Sequence, residues 1–202
     1  ITVFVALQSF TGLLDASSSV QDMYFSDYAV TNETVGIPSE AVKTLAENDA
    51  VESVSTTRLS VFMPGAGDIL PFETDLSVQS HETLQLVNVD EAQLQIYAPN
   101  LSAQDKQALK DGTGCLVKNP IAFSYGDTTV QQTDLTVGDT IQLGDRTLPV
   151  LGLIDTAITI NNDGFTNGVQ LIVNDEIYCS LLGNDSYSEV YPTLQDNADT
   201  DT

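Results

Sequence analysis

The sequence has few basic residues: six Lys or Arg stand against 29 Asp or Glu, a formal net charge of −23 over 202 residues. Proteins that bind nucleic acid gain affinity by neutralising phosphates with basic side chains, so this imbalance excludes a nucleic-acid partner. It also argues against docking on an anionic membrane surface through a basic patch. No run approaches the roughly 20 apolar residues that a membrane-spanning helix needs. The chain begins at Ile1 and has no signal sequence, in which a basic segment would precede an apolar one. We therefore expect a fragment or a mature exported chain.

Histidine, cysteine and tryptophan are also scarce, with one His, two Cys and no Trp. Cys115 and Cys179 form no C-x-x-C motif, and either one disulfide in an exported chain or two buried thiols would account for them. His81 begins the sequence H-E-T-L-Q, in which Gln85 occupies the second ligand position of an H-E-x-x-H zinc motif. We interpret His81 as a lone exposed residue beside Glu82. The sequence therefore predicts no catalytic and no metal-ligating residue.

Two further motifs are incomplete. The sequence Gly65-x-Gly67 lacks the third glycine of a dinucleotide fingerprint, and no G-x-x-x-x-G-K-[ST] motif is present, so we expect neither ATP nor another bound cofactor. Segment 159–164 resembles the start of a calcium loop, but Thr159 and Gln170 stand at the first and last ligand positions, where carboxylates belong. A surface turn of Asn, Asp and Gly accounts for this segment.

The chain has enough apolar material for a packed core, since 42% of its residues are hydrophobic and 17% are charged. Its length allows one domain or two small ones. Apolar residues recur with 4-3-4 spacing in segment 1–14, a pattern typical of an amphipathic helix. That helix either packs on its own domain or forms a stalk leading out of a membrane helix.

Local sequence signals predict strand–helix–strand patterns at both ends of the chain and a strand-rich middle. Predicted helices cover 38–46, 102–109 and about 175–182, and predicted strands cover 27–30, 51–63, 83–89, 94–97, 115–117, 141–143, 148–150, 169–173 and 188–191. Asn174 or Asp175 is expected to cap the third helix, and Gly183 to follow its end. The strands around Gly144 are expected to form a hairpin, with Pro149 on an edge strand because proline lacks an N–H donor.

Three segments, taken in order, are similar to one protein family. The clearest is 135–155, which reads L-x-V-G-D-T-I-x-L-G-x-R-T-x-x-V-x-G-L-I-D. It follows 111–117, D-G-x-G-C-L-V, and precedes 173–183, V-N-D-E-x-Y-x-x-L-L-G. Together with the first strand–helix–strand unit, they resemble the extracytoplasmic domain between the first and second transmembrane helices of FtsX/MacB-type ABC transporter permeases. Segment 119–133 does not match this pattern.

The resemblance implies an α+β fold, in which a porter-like subdomain of two βαβ units carries an inserted β-rich Sabre-like subdomain. The implied boundaries are an N-terminal stalk-like helix at 1–22, a porter-like subdomain at 23–82 and 165–202, and a Sabre-like subdomain at 83–164. It further implies a domain without catalytic residues on the extracytoplasmic side of the cell membrane. ATP hydrolysis is then expected in a separate ATPase subunit or domain.

In that family, the permease transmits ATP-driven motion across the membrane to export or release a peptide or lipoprotein substrate, or to regulate an envelope partner. A second copy of the permease is a further partner that the resemblance allows. Two other functions stay open from the residues alone. One is a secreted module that binds a cationic peptide on its acidic surface. The other is a glycan-acting hydrolase, which would require a carboxylate pair in a deep cleft.

Overall fold

The computed structural model describes residues 26, 28–31, 36–122, 124–159 and 168–196. In these ranges the strands are β1 Val30–Thr31, β2 Val51–Phe62, β3 Thr83–Val89, β4 Cys115–Lys118, β5 Ser124–Tyr125, β6 Thr128–Thr129, β7 Thr140–Leu143, β8 Arg146–Leu153, β9 Gly168–Ile172 and β10 Glu189–Leu194. The helices there are α1 Ser39–Ala46, α2 Glu91–Tyr97, α3 Ala103–Lys110 and α4 Asp175–Leu182. This mixture of strands and helices confirms the predicted α+β class.

Eight of these strands form one mixed sheet in the order β1-β10-β2-β3-β9-β4-β8-β7, and β5 pairs with β6 separately. The pairs β3–β9 and β4–β8 are parallel, and the other neighbouring strands of the large sheet are antiparallel. The two predicted strand–helix–strand units are β1–α1–β2 and β9–α4–β10. They are interleaved, because β10 lies between β1 and β2.

The sheet is covered on both faces, and alternate residues of its strands point to different hydrophobic clusters. Leu84 and Leu86 of β3 belong to the cluster that includes α4, whereas Val87 belongs to the cluster that includes α2 and α3. A third, smaller cluster forms where α1 packs on β2 and β10 around Val42 and Val190. The strands β3, β9 and β4 are therefore buried between two layers. Among their buried polar side chains, Gln85 and Gln170 are hydrogen-bonded to each other.

The prediction of a strand at 94–97 was wrong, because this segment lies in helix α2. The Asp90 side chain accepts a hydrogen bond from the Gln93 N–H at 3.0 Å and caps the helix. Leu94 and Ala98, four residues apart, are buried, whereas Ile96 is 55% exposed. The alternation of apolar residues that indicated a strand was thus coincidental over so short a segment.

The hairpin of β7 and β8 is confirmed, but the placement of Pro149 at a sheet edge was wrong. Strand β8 lies between β4 and β7. The pairing of β4 with β8 begins at Cys115, which faces Val150, so Pro149 immediately precedes the first paired residue on that side. The missing N–H of proline therefore removes no donor from the β4–β8 ladder.

Both ends of the described chain lie at the same end of β2. The Ser26 hydroxyl donates a hydrogen bond to the Pro192 carbonyl, and the Gln195 N–H donates to the Ala50 carbonyl at 2.9 Å. Strand β2 has 12 residues, so its far end lies about 36 Å away at a rise of about 3.3 Å per residue. No described helix has the length and apolar character needed to cross a membrane.

The subdomain boundaries expected from the resemblance stay a prediction. Strand β3, from the expected Sabre-like part, pairs on both sides with strands of the expected porter-like part, so the sheet is continuous across the boundary. The expected stalk-like helix at 1–22 lies outside the described residues.

Candidate functional site

The structure places Glu82 and Gln85 of the H-E-T-L-Q sequence in structural contacts. The Glu82 carboxylate is buried and accepts hydrogen bonds from the Thr133 N–H at 2.8 Å, the Thr133 hydroxyl at 2.6 Å and the Gln79 N–H at 3.2 Å. Gln85 is buried and donates to the Thr83 hydroxyl at 2.8 Å. In the part of the chain that the structure describes, no group of three or more His, Cys, Asp and Glu side chains could hold a metal ion.

Of the calcium-like segment, residues 160–164 lie outside the described residues. Gln170, at the last ligand position, is buried, and its amide donates to Gln85 Oε1 and to the Ile158 carbonyl, both at 2.7 Å. Its carbonyl oxygen accepts from the Ile158 N–H at 2.8 Å. Gln170 therefore holds Ile158 against the sheet.

The Gly65-x-Gly67 sequence lies in a tight turn. A Cβ atom at Gly65 would lie 2.0 Å from the Ser80 carbonyl oxygen, so only glycine fits at this contact. Gly67 has φ +97° and ends the short 3₁₀ turn Pro64–Ala66. These two constraints explain both glycines without a nucleotide.

Both cysteines are free thiols in the structure. Cys115 is fully buried, its Sγ lies 3.7 Å from the Pro149 carbonyl oxygen, and burial raises the pKa of its thiol to about 12. Cys179 on α4 is half-buried. Because the thiolate is the reactive form, burial protects Cys115 both by restricting access and by suppressing its ionisation.

We expect Ellman's reagent to modify Cys179 in the native protein near pH 8 and to leave Cys115 unmodified. With a pKa of about 12, only about one Cys115 thiol in ten thousand is ionised at that pH. Denaturation should release the second thiol. Simultaneous modification of both thiols in the folded protein, or no free thiol after denaturation, would contradict this expectation.

The three segments that carry the family resemblance converge in the structure. The Asn174 side-chain amide donates to the Lys110 carbonyl at 3.0 Å and thereby joins the end of α3 to the start of α4. Gly112 has φ +67°, and a Cβ there would lie 3.0 Å from Asn174 Nδ2 and 3.3 Å from Ile177 Cδ1. Segments 111–117 and 173–183 therefore pack directly on each other.

Segment 135–155 joins the same contact region through the turn between β7 and β8. A Cβ at Gly144 would lie 2.9 Å from Leu181 Cδ2. Beside it, the Arg146 Nη2 atom lies 2.6 Å from Glu176 Oε1. The glycine at position 144 allows the turn to approach α4 closely. Residues from all three segments thus meet in one packed unit at the carboxyl end of β9 and the start of β8.

Arg58, which no sequence motif indicated, lies beside this unit on β2. Arg58 is 2% exposed, and its guanidinium donates a hydrogen bond to Asn88 Oδ1 at 3.3 Å. It also forms an ion pair with Asp175 at the start of α4. On the other side, the guanidinium carbon lies 3.6 Å from the centroid of the Tyr187 ring. Arg58 therefore joins the α4 layer to the segment that leads into β10.

A groove of about 920 Å³ opens at the carboxyl ends of the parallel strands β3 and β9. Its walls come from α2, α3 and the start of α4, and Arg58 lines it from β2. Three of the chain's six basic residues line this groove, namely Arg58, Lys106 and Lys110. In sheets with parallel strands, ligands commonly bind at this carboxyl edge. The groove is therefore the candidate binding site in the described part of the molecule.

A layer of polar contacts holds α2 beside the groove. Asp90 Oδ2 accepts from the Ser55 hydroxyl at 2.5 Å and from the Thr56 N–H at 2.8 Å. The Gln93 side chain is fully buried, accepts from the Thr57 hydroxyl at 2.9 Å and donates to the Ser55 hydroxyl at 3.1 Å. Because these polar groups are paired, the first turn of α2 is fixed against β2.

No protein-family model and no curated protein matches the sequence. Among solved structures, the chain is similar to the extracellular domain of the noncanonical ABC-type transporter YknZ from Gram-positive bacteria, with 9% identity, a TM-score of 0.49 and coverage of 84% of this chain and 82% of that chain. It is also similar to the periplasmic region of MacB from Actinobacillus actinomycetemcomitans, with 11% identity, a TM-score of 0.44 and coverage of 83% and 69%. The first of these structures is a domain of an ABC-type transporter.

Proposed function

We propose that this chain is a non-catalytic extracytoplasmic domain of an FtsX/MacB-type ABC transporter permease. In this role it transmits conformational change, driven by an ATPase subunit or domain on the other side of the membrane. The outcome is export or release of a peptide or lipoprotein substrate, or regulation of a partner in the cell envelope.

The observation that carries this proposal is the convergence of the three resembling segments. Positions 112, 144, 146, 174 and 176 come from all three segments, yet they meet in one packed unit. A chance resemblance, distributed along the sequence, would have no reason to concentrate in a single contact region. The glycines and the ion pair of the motifs also have structural roles there, as expected of residues that specify this fold.

The position of the two ends of the described chain supports a tethered domain. Ser26 and Gln195 both form hydrogen bonds at the same end of the sheet. Two membrane segments attached there would move this end directly, and the continuous sheet would carry the movement along the roughly 36 Å of β2. Arg58 would couple the movement of β2 to α4 through its ion pair with Asp175.

The test is the location of the full-length protein in its own cells. We expect it to stay in the membrane pellet after alkaline carbonate extraction. We also expect a cysteine introduced at the exposed position Asp145, in a Cys179→Ser background, to react with a membrane-impermeant maleimide on cells whose envelope exposes the outer face of the inner membrane. The matched control is the full-length Cys179→Ser protein without the introduced cysteine, in which Cys115, the cysteine of this chain that remains, is buried.

Recovery of the protein in the culture medium, without a membrane-bound form, would contradict the permease and favour a secreted binding module. Labelling that requires lysis of the inner membrane would contradict the extracytoplasmic location.

A further inference from the structure

The groove at the carboxyl ends of β3 and β9 combines an apolar base with charged walls. Leu94 from α2 and Leu109 from α3 line its base and are each less than 10% exposed. Its volume of about 920 Å³ lies near the upper limit of the roughly 300–1,000 Å³ typical of pockets for small ligands. The groove can therefore hold a molecule with apolar groups of moderate size.

The two walls of this groove carry opposite unpaired charges. Lys106 and Lys110 lie one helical turn apart on α3, so one carboxylate can reach both ammonium groups. Glu91 lines the groove from the first turn of α2. Among the ion pairs of the described residues, none involves these three side chains, whereas the nearby Asp175 and Glu176 are paired with arginines. The groove thus offers a cationic and an anionic contact to a ligand.

The charge of the whole chain restricts the ligand further. A net charge of −23 repels a net anion at long range, whereas a zwitterion carries no net charge and is not repelled. A ligand that matches the charges of both walls and is not repelled by the negative chain has one anionic end, one cationic end and an apolar middle. Gln95 and Gln107 line the same groove and add amide groups that can bind a peptide backbone.

We propose that this groove binds a short zwitterionic peptide. Its terminal carboxylate contacts Lys106 and Lys110, its terminal ammonium contacts Glu91, and its apolar side chains pack on Leu94 and Leu109. This proposal is independent of the proposed transport role. Peptide binding depends only on the groove, so it can be measured on this chain whether or not the chain is joined to a permease.

The experiment is an NMR titration of the ¹⁵N-labelled 202-residue chain with trileucine. We expect saturable shifts of backbone amides in 89–95, 103–110 and 173–176. Amidation of the peptide's carboxyl terminus should weaken binding about tenfold, because it removes a charge-assisted contact. Acetylation of the amino terminus should weaken binding to the unchanged chain but have little further effect on the Glu91→Gln variant.

The matched variants are Lys106→Glu and Lys43→Glu, which change the net charge equally. Lys43 is exposed on α1 and does not line the groove. We expect Lys106→Glu to weaken trileucine binding about tenfold and Lys43→Glu to change it less than about twofold. Equal weakening by both variants, equal binding of the amidated peptide, or no shifts in the groove would overturn the proposal. Tighter binding of dodecanoate than of trileucine at the same amides would also overturn it, in favour of an amphipathic anion.

Discussion

Replacing Arg58 with Met is expected to lower the free energy of unfolding by about 3 kcal/mol. The Arg58 Nε donates to the Ser186 carbonyl at 3.2 Å, and Nη2 donates to the Asp185 carbonyl at 2.8 Å. A third donor contacts the buried Asn88 side chain. Methionine is of similar length but donates no hydrogen bond, so these acceptors would lose their partner.

The largest part of this effect should come from the buried contacts of Arg58 rather than from its ion pair. The side chain of Asp175 is 64% exposed, so water can solvate its carboxylate when the arginine is removed. Exposed ion pairs contribute about 0–1 kcal/mol. Loss of the cation–π contact with Tyr187 adds to the effect of the lost hydrogen bonds.

Urea unfolding followed by circular dichroism measures the effect, with Asp175→Asn as the matched variant. We expect Asp175→Asn to cost about 1 kcal/mol or less, since it removes only the exposed partner. Lys43→Met, which removes an exposed cation from α1, should change stability by less than about 0.5 kcal/mol. Equal destabilisation by Arg58→Met and Asp175→Asn would contradict the assignment of the energy to the buried contacts.

Replacing Glu82 with Leu is expected to have a similarly large effect, about 3 kcal/mol. The Glu82 carboxylate accepts from two backbone N–H groups and one hydroxyl, all in segments 79–82 and 133. Leucine would fill much of the space but leave the buried Thr133 N–H without an acceptor, whereas the Thr133 hydroxyl could still donate to the Ser77 carbonyl at 3.0 Å. An unsatisfied buried polar group costs about 1–3 kcal/mol.

Glu82→Gln provides the conservative comparison, because its amide keeps one acceptor oxygen, and we expect it to cost less than Glu82→Leu. Glu52→Leu, at an exposed position of β2, should cost less than about 0.5 kcal/mol. Amide hydrogen exchange adds a local measurement, since the Thr133 N–H should lose protection in Glu82→Leu. Unchanged protection of Thr133 together with wild-type stability would show that the carboxylate does not anchor this segment.

The elements that sequence reasoning predicted well are those with strong local signals. Helix α4 begins after Asn174, whose Oδ1 accepts from the Ile177 N–H at 2.9 Å, and ends at Gly183 with φ +62°. The hairpin around Gly144 likewise follows from a turn residue between two apolar strands. The sheet order could not be predicted in this way. The insertion of β10 between β1 and β2 depends on pairings between residues more than 100 positions apart, which leave no local pattern.

The candidate site was less predictable than the fold. Arg58 stands in an alternating strand, where a charged residue normally indicates the solvent face, and only its rarity in this acidic chain could have singled it out. The groove combines residues from segments 56–58, 88–95, 103–110 and 173–176, which become neighbours only in the folded sheet. Segment 94–97, the end of helix α2, was also predicted as a strand, so the helix that carries Glu91 could not be recognised.

The most direct test of the transporter assignment is the ATP hydrolysis associated with the full-length protein. We expect affinity purification in detergent to recover an ABC ATPase, either as a separate subunit or as part of the same chain. The preparation should hydrolyse ATP in a vanadate-sensitive manner, and replacement of the Walker A lysine in that ATPase should abolish the activity. Purification of the intact protein without any associated ATPase, from membranes in which it is stably inserted, would contradict the account.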